Sequence, residues 1–213
     1  MPRQLPAHTG RAPVSARGTR TRIALVQAAR AVFERDGYLD ARITDISAEA
    51  GVAAGSFYTY FTSKQEVFGA VMADVEEEML HPRILEPADR DDPVHVIEAA
   101  NRAYLLAYRR NARLMALMEQ VSQIDEDFRR QRLRRARAFT ERNARALVAL
   151  QRRGVADPQL DAQLAARALS AMVSRVAYLR YVQGVGTESV EALVGVLTRL
   201  WVGALGIRSA TYI

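Results

Sequence analysis

The 213-residue chain contains no cysteine, which excludes a disulfide framework and any thiolate-held metal. Histidine is nearly as scarce. His8, His81 and His95 are the only three, and their separations match no metal-ligand spacing. Glycine-rich phosphate loops and nucleophile elbows are missing as well. An enzyme would need a constellation that is not there, so neither catalytic residues, a metal nor a cofactor is expected. No apolar run approaches the ~18 residues a membrane span requires. The basic N-terminus has no apolar stretch behind it and does not read as a secretory signal. The expectation is a cytoplasmic protein that makes no contact with a membrane. Lysine is almost absent too: Lys64 is the only one, and arginine supplies every other positive side chain.

What is present is apolar and helical. Apolar residues make up 49% of the chain, too many for a disordered one and enough for a sizeable core. No alternating pattern of the strand type persists, and helical spacing of apolar residues dominates. Net charge is +6, unevenly spread. Residues 1–33 hold six arginines and no acid. A basic end on a nearly balanced body fits a polyanionic partner at that end, or simply a soluble basic surface.

Residues 1–18, with three prolines and scattered arginines, read as a disordered basic arm. Arg3, Arg11 and Arg17 either follow a nucleic-acid backbone or minor groove, or remain a solvated tail. A first helix is expected over 19–36, with Leu25, Ala28, Ala29, Val32 and Phe33 on one face and Gly37 closing it. A second spans 43–50, Gly51 makes a tight turn, and a third spans 54–60. Phe57 and Phe61 fall on its buried side. Ser56, Tyr58, Thr59 and Tyr60 are left outward, where tyrosine hydroxyls suit phosphate oxygens. Two short helices around a glycine turn form a helix-turn-helix, whose second helix enters the DNA major groove. A fourth helix begins at Ser63, whose pairing with Glu66 forms a capping box. Lys64 in its first turn is placed to hold a phosphate. Pro82 ends that helix, and 81–93 is a connector. Five more helices are expected over 94–110, 112–122, 125–153, 159–182 and 188–205, giving about nine in all.

Over some 45 residues the sequence resembles the TetR family of bacterial transcription regulators. The matching residues are Leu25, Val26, Ala28, Ala29, Phe33, Gly37 and Tyr38; Ile43, Asp45 and Ile46; Ala50, Gly51 and Val52; Gly55, Ser56, Phe57, Tyr58, Tyr60 and Phe61; and Ser63 with Lys64. The resemblance implies an all-α chain. A three-helix DNA-binding domain over 19–63 precedes a larger helical domain over 64–213 for ligand binding and dimerisation. It implies a homodimer that binds a near-palindromic double-stranded operator, and a small, mostly apolar effector that releases the DNA, most members being repressors. The alternative is a DNA-binding regulator without a small-molecule inducer, or an activator, controlled by a protein partner. By position, Thr44, Ala54, Ser56 and Thr59 fall where members read bases, and Tyr58, Tyr60 and Lys64 where members clamp phosphates. Two residues depart from the family. Arg42 stands where threonine caps the second helix, and an arginine cannot accept the N–H bonds of a cap. Asp40 or Thr44 takes over the cap, or Arg42 trades it for a phosphate contact. Ala53 stands where serine or threonine would cap the third.

Ala54 and Gly55 offer no side-chain hydrogen bond to a base, and the third helix holds no Arg or Gln for a bidentate contact. DNA shape, the basic arm and half-site spacing are therefore expected to carry much of the sequence preference. In the larger domain, the last helix is apolar on two sides and the one before it is rich in alanine. A dimer interface through Ala168, Met172, Leu179, Leu193, Leu197, Leu200 and Trp201 fits, beside the plainer reading of a monomer core. Met72, Tyr104, Tyr108, Met115, Met118, Phe139 and Tyr178 either line an adaptable effector pocket or are ordinary core. Arg129, Arg130, Arg132, Arg134, Arg135 and Arg137 crowd nine residues of the seventh helix. They fit a solvated face paired with Glu126 and Asp127, a second nucleic-acid surface, or a site for an anionic ligand.

Overall fold

The computed structural model describes residues 15–80 and 92–207. Arg3, Arg11, His8, His81 and nearly all of the proline-rich connector lie outside them. Among the described residues there are nine helices and no strand. No helix there is long and apolar enough to cross a membrane. The chain divides into two compact units, residues 1–75 and 76–213. The division falls inside the fourth helix, twelve residues beyond position 63.

The N-terminal unit starts earlier than the periodicity suggests. Helix α1 covers Ala16–Asp40, so Arg17 lies in its first turn and not in a disordered arm. The overlooked signal is Ser15, whose hydroxyl accepts the Gly18 N–H at 3.1 Å and caps the helix. Gly37 has φ 82°, a left-handed conformation that glycine adopts without steric cost. The chain turns there, and Tyr38 packs back on Phe33 and Phe68 with ring centroids 5.9 and 4.9 Å away. Phe33, Phe57, Phe61 and Phe68 are all but inaccessible to solvent. Helix α2 is Ile43–Glu49 and α3 is Ala54–Phe57. Helix α4, Lys64–Leu80, begins with the expected reciprocal cap, one residue out of register on one side. Ser63 Oγ accepts the Glu66 N–H, while the Glu66 carboxylate accepts the N–H of Thr62.

The C-terminal unit holds α5 (Pro93–Arg110), α6 (Ala112–Ile124), α7 (Glu126–Arg152), α8 (Ala162–Tyr181) and α9 (Val190–Ala204). Their starts are fixed by side chains the sequence supplies. Asp92, Asp125, Asp161 and Ser189 each accept N–H groups of the helix that follows. Such caps are worth ~1 kcal/mol apiece. One core cluster gathers Val94, Leu147, Ala156, Leu169, Val202, Leu205 and Ile207, with Met172 and Trp201 packed against it. Two polar links, one buried and one part-buried, cross between elements. Asn101 donates to Thr198 at 3.3 Å, joining α5 to α9, and Asn111 donates to the Glu78 carboxylate at 3.0 Å. Buried amides of this kind persist because a lost partner leaves an unsatisfied group.

Candidate nucleic-acid interface and interior cavity

The outward face of the first unit is built on its aromatic core. Gly51, at φ 66°, lets the chain leave α2 and start α3 three residues later. Buried Ile46, Phe57 and Phe61 fix the two helices by their inner sides. What remains outside is Arg42, Thr44, Ala54, Tyr58 and Thr59, all exposed, with Ser56 and Tyr60 half-buried. The α-helical stretch of α3 is shorter than expected. Beyond Phe57 the backbone continues as turns, in which Thr59 and Tyr60 donate to carbonyls three residues back. Seven of the eight residues assigned to DNA therefore lie on or beside the two short helices, and their exposed members are free of the core.

Neither short helix is capped by the residue at its start. Arg42 and Ala53 occupy the cap positions, and their side chains accept no helix N–H. The Thr44 hydroxyl turns to the Asp45 carboxylate at 3.4 Å. The guanidinium of Arg42 is left on the surface.

Lys64 is placed differently from the expectation of a free phosphate clamp. Its ammonium donates to the carbonyls of Leu39 and Ala41 at 2.9 and 3.0 Å. It also stands 5.0 Å from the centre of the Tyr38 ring. Burial holds its pKa below the usual lysine value, opposed by the charge of Asp40. The carbonyls where α1 ends attract a cation, as helix C-termini do. Lys64 thus ties the end of α1 to the start of α4.

The second unit encloses a cavity of about 850 Å³. Tyr104, Tyr108, Met115, Phe139 and Tyr178 line it. Met72 and Met118 do not. Met72 belongs to the first unit, and both are fully buried in packed core. Apolar periodicity cannot separate a cavity wall from solid core, and this is where it misassigned them. It also missed Trp201, Met79 and a set of charged residues. Glu119, Arg132, Arg135, Arg142, Arg167 and Arg175 all contribute to the wall. Tyr104 stacks edge-on against Phe139 at 5.4 Å and lies 5.9 Å from Tyr108. Burial pushes both tyrosine hydroxyls above the ordinary phenol value, so they stay protonated donors. Trp201 Nε1 is buried without a hydrogen-bond partner among the described residues.

The arginine-rich run of α7 splits by helical phase. Arg129 and Arg130 pair with Glu126, and Arg130 also with Asp127, as a solvated face should. Arg132 pairs with Glu119 on α6 at 2.7 Å. Arg135 faces the cavity.

The residues assigned to a dimer interface also split. Ala168 and Leu200 are exposed, and Leu179 and Leu193 are half-buried. Leu197 is only 2% exposed and packs inside its own protomer, as do Met172 and Trp201. The inward row of α9 is Val190, Val194, Leu197 and Val202. The outward row is Val196 and Leu200, and Leu164 of α8 is likewise exposed.

A glycine-turned pair of short helices on an aromatic core, presenting hydroxyls and a guanidinium outward, defines a helix-turn-helix DNA-binding regulator. Residues 25–71 match the family model for bacterial regulatory proteins of the TetR family. The regulator TtgR of Pseudomonas putida is 28% identical over 162 residues, 72% of this chain and 76% of its own length. Among solved structures, SmeT, the repressor of the Stenotrophomonas maltophilia multidrug efflux pump SmeDEF, superposes with a TM-score of 0.68 at 22% identity, covering 91% of this chain and 95% of that one. A TetR-like transcriptional regulator from Rhodococcus sp. RHA1 gives 0.65 at 23%, covering 92% and 100%. Residues 25–71 thus carry the DNA-binding region of the TetR family of transcriptional regulators, which are DNA-binding factors and not enzymes.

Proposed function

We propose that the chain is a repressor that binds a near-palindromic operator as a homodimer and is released when a small molecule enters the cavity of the second unit. The observation that carries this reading is the cavity itself. A volume of about 850 Å³ lies within the range of small-molecule sites, and a solid core at that place would have favoured control by a protein partner. The repressor role named for SmeT supports the sign of regulation. Thr44, Ala54, Ser56 and Thr59 meet base edges in this reading. Arg42, Tyr58 and Tyr60 meet phosphates, and Lys64 positions the helix-turn-helix from behind. The exposed Leu164, Val196 and Leu200 supply the apolar surface on which a second copy packs.

The test is selection of genomic fragments that the purified chain retains, followed by a screen for compounds that elute it. Enrichment of one inverted repeat, with elution by a compound, is the expected result. Retained fragments sharing no motif would sink the operator reading. A motif that no compound disturbs would sink release by a ligand.

A further inference from the structure

The cavity wall has a polarity that the composition of its lining does not reveal. Arg135, Phe139, Arg142, Asn143, Ala146 and Leu150 follow one another along a single face of α7, at spacings of three, four and seven residues. From Arg135 to Leu150 the helix rises ~22 Å. The first half of that stripe is cationic and aromatic. Beyond Asn143 the second is aliphatic, and Leu150 packs with Ile97 and Trp201 against one core cluster.

One charge at the first end meets no described carboxylate. Arg132 is neutralised by Glu119. Arg135 meets no carboxylate among the described residues; its guanidinium donates to the Met115 sulfur at 3.2 Å, a weak acceptor. Arg142 lies 5.0 Å over the Phe139 ring and is substantially desolvated. A half-buried guanidinium facing a sulfur retains most of its hydrogen-bonding capacity. Its planar fork matches a carboxylate bidentately.

We propose that the effector is an amphiphilic carboxylate, its head on Arg135 beside Tyr104 and Tyr108 and its apolar body extended along α7 toward Leu150 and Trp201. The inference rests on the cavity being the effector site. It replaces a mostly apolar ligand with one carrying a negative charge at one end.

Trp201 is the only tryptophan of the chain and lines the cavity, so its fluorescence reports occupancy. Three probes of one shape separate the possibilities: para-octylbenzoate, para-octylbenzyl alcohol and para-octylbenzylamine. The benzoate is expected to bind at least about tenfold more tightly than the alcohol, the amine more weakly than either, as a charge-assisted pair in a partly dry site requires. Arg135→Gln should abolish the preference for the benzoate, weakening benzoate binding far more than alcohol binding. Arg135→Lys should restore part of it. Helical circular dichroism and a thermal midpoint equal to the parent's show that the variant has kept its fold. Equal affinities for benzoate and alcohol, or a preference that survives Arg135→Gln, would overturn the anionic effector and leave the cavity as a ligand site. Binding of none of the three, by fluorescence or by thermal shift, would overturn both.

Discussion

The two units of this chain place their chemistry in opposite ways. The N-terminal unit keeps its aromatic residues inside and its functional groups outside, on two helices of only seven and four residues. The C-terminal unit turns charged side chains inward, around a space. In the first, the core determines the site: a few buried rings hold short, poorly capped helices in register. In the second, the site is what the core leaves unfilled. The first arrangement depends on rigidity and the second tolerates repacking, so the same kind of substitution should act differently in each.

The largest expected effect tests that dependence. Phe68→Ala removes the ring that meets Phe33 edge-on at 5.0 Å and Tyr38 at 4.9 Å. A fully buried Phe→Ala change costs ~3–5 kcal/mol. Operator binding should disappear while Trp201 still responds to a bound probe. If both functions fail together in a chain that keeps its helical circular dichroism, the contrast between the units is wrong. Next comes Leu200→Arg. It sets a charge on an apolar face that is 48% exposed in the protomer. Sedimentation should show monomers where the parent sediments as dimers, with weaker operator binding and unchanged probe binding. A dimer that persists would move the interface elsewhere.

Lys64→Met sharpens the distinction between a DNA contact and a structural tie. Two hydrogen bonds from a charged donor are lost, and stability should fall by ~1–3 kcal/mol in chemical denaturation. A lysine that clamped phosphate instead would leave stability alone and lower the salt slope of DNA binding by about 1. The smallest change is a gain. Arg42→Thr supplies the missing cap to α2 and should stabilise the unit by ~0.5–1 kcal/mol. The same substitution removes a cation from the DNA-facing surface, so the salt slope should drop by about 1. A slope that does not move takes Arg42 off the list of phosphate contacts.

The same contrast governs what could be read without coordinates. In the first unit, function and fold use the same short stretch. The glycine at 51, the Phe57–Phe61 pair and the capping box at Ser63 are local signals, and each has its structural counterpart. The tie that Lys64 makes was not legible because its partners, Leu39 and Ala41, lie more than twenty residues upstream, on a turn whose direction only Gly37 decides. In the second unit, the order of the five helices α5 to α9 was legible from periodicity and caps. The cavity was not. Tyr104 and Met118 have the same apolar spacing, yet one borders empty space and the other is packed solid. Arg135 looked like one more solvated arginine because helical phase within a dense basic run depends on where the helix meets its neighbours. Ser15 went unnoticed because the arginine- and proline-rich residues around it masked a cap.

Lys64 carries a practical consequence. It is the sole lysine in 213 residues, and its ammonium is held by two carbonyls where α1 meets α4. An acylating reagent therefore has one side-chain amine to find, and that amine reacts faster once it leaves the two carbonyls. The rate at which Lys64 is acylated measures how often the helix-turn-helix loosens from its support. The mass increment on the peptide that holds Lys64, read apart from that on the α-amino group, would serve as a clock for that opening, with DNA bound or absent.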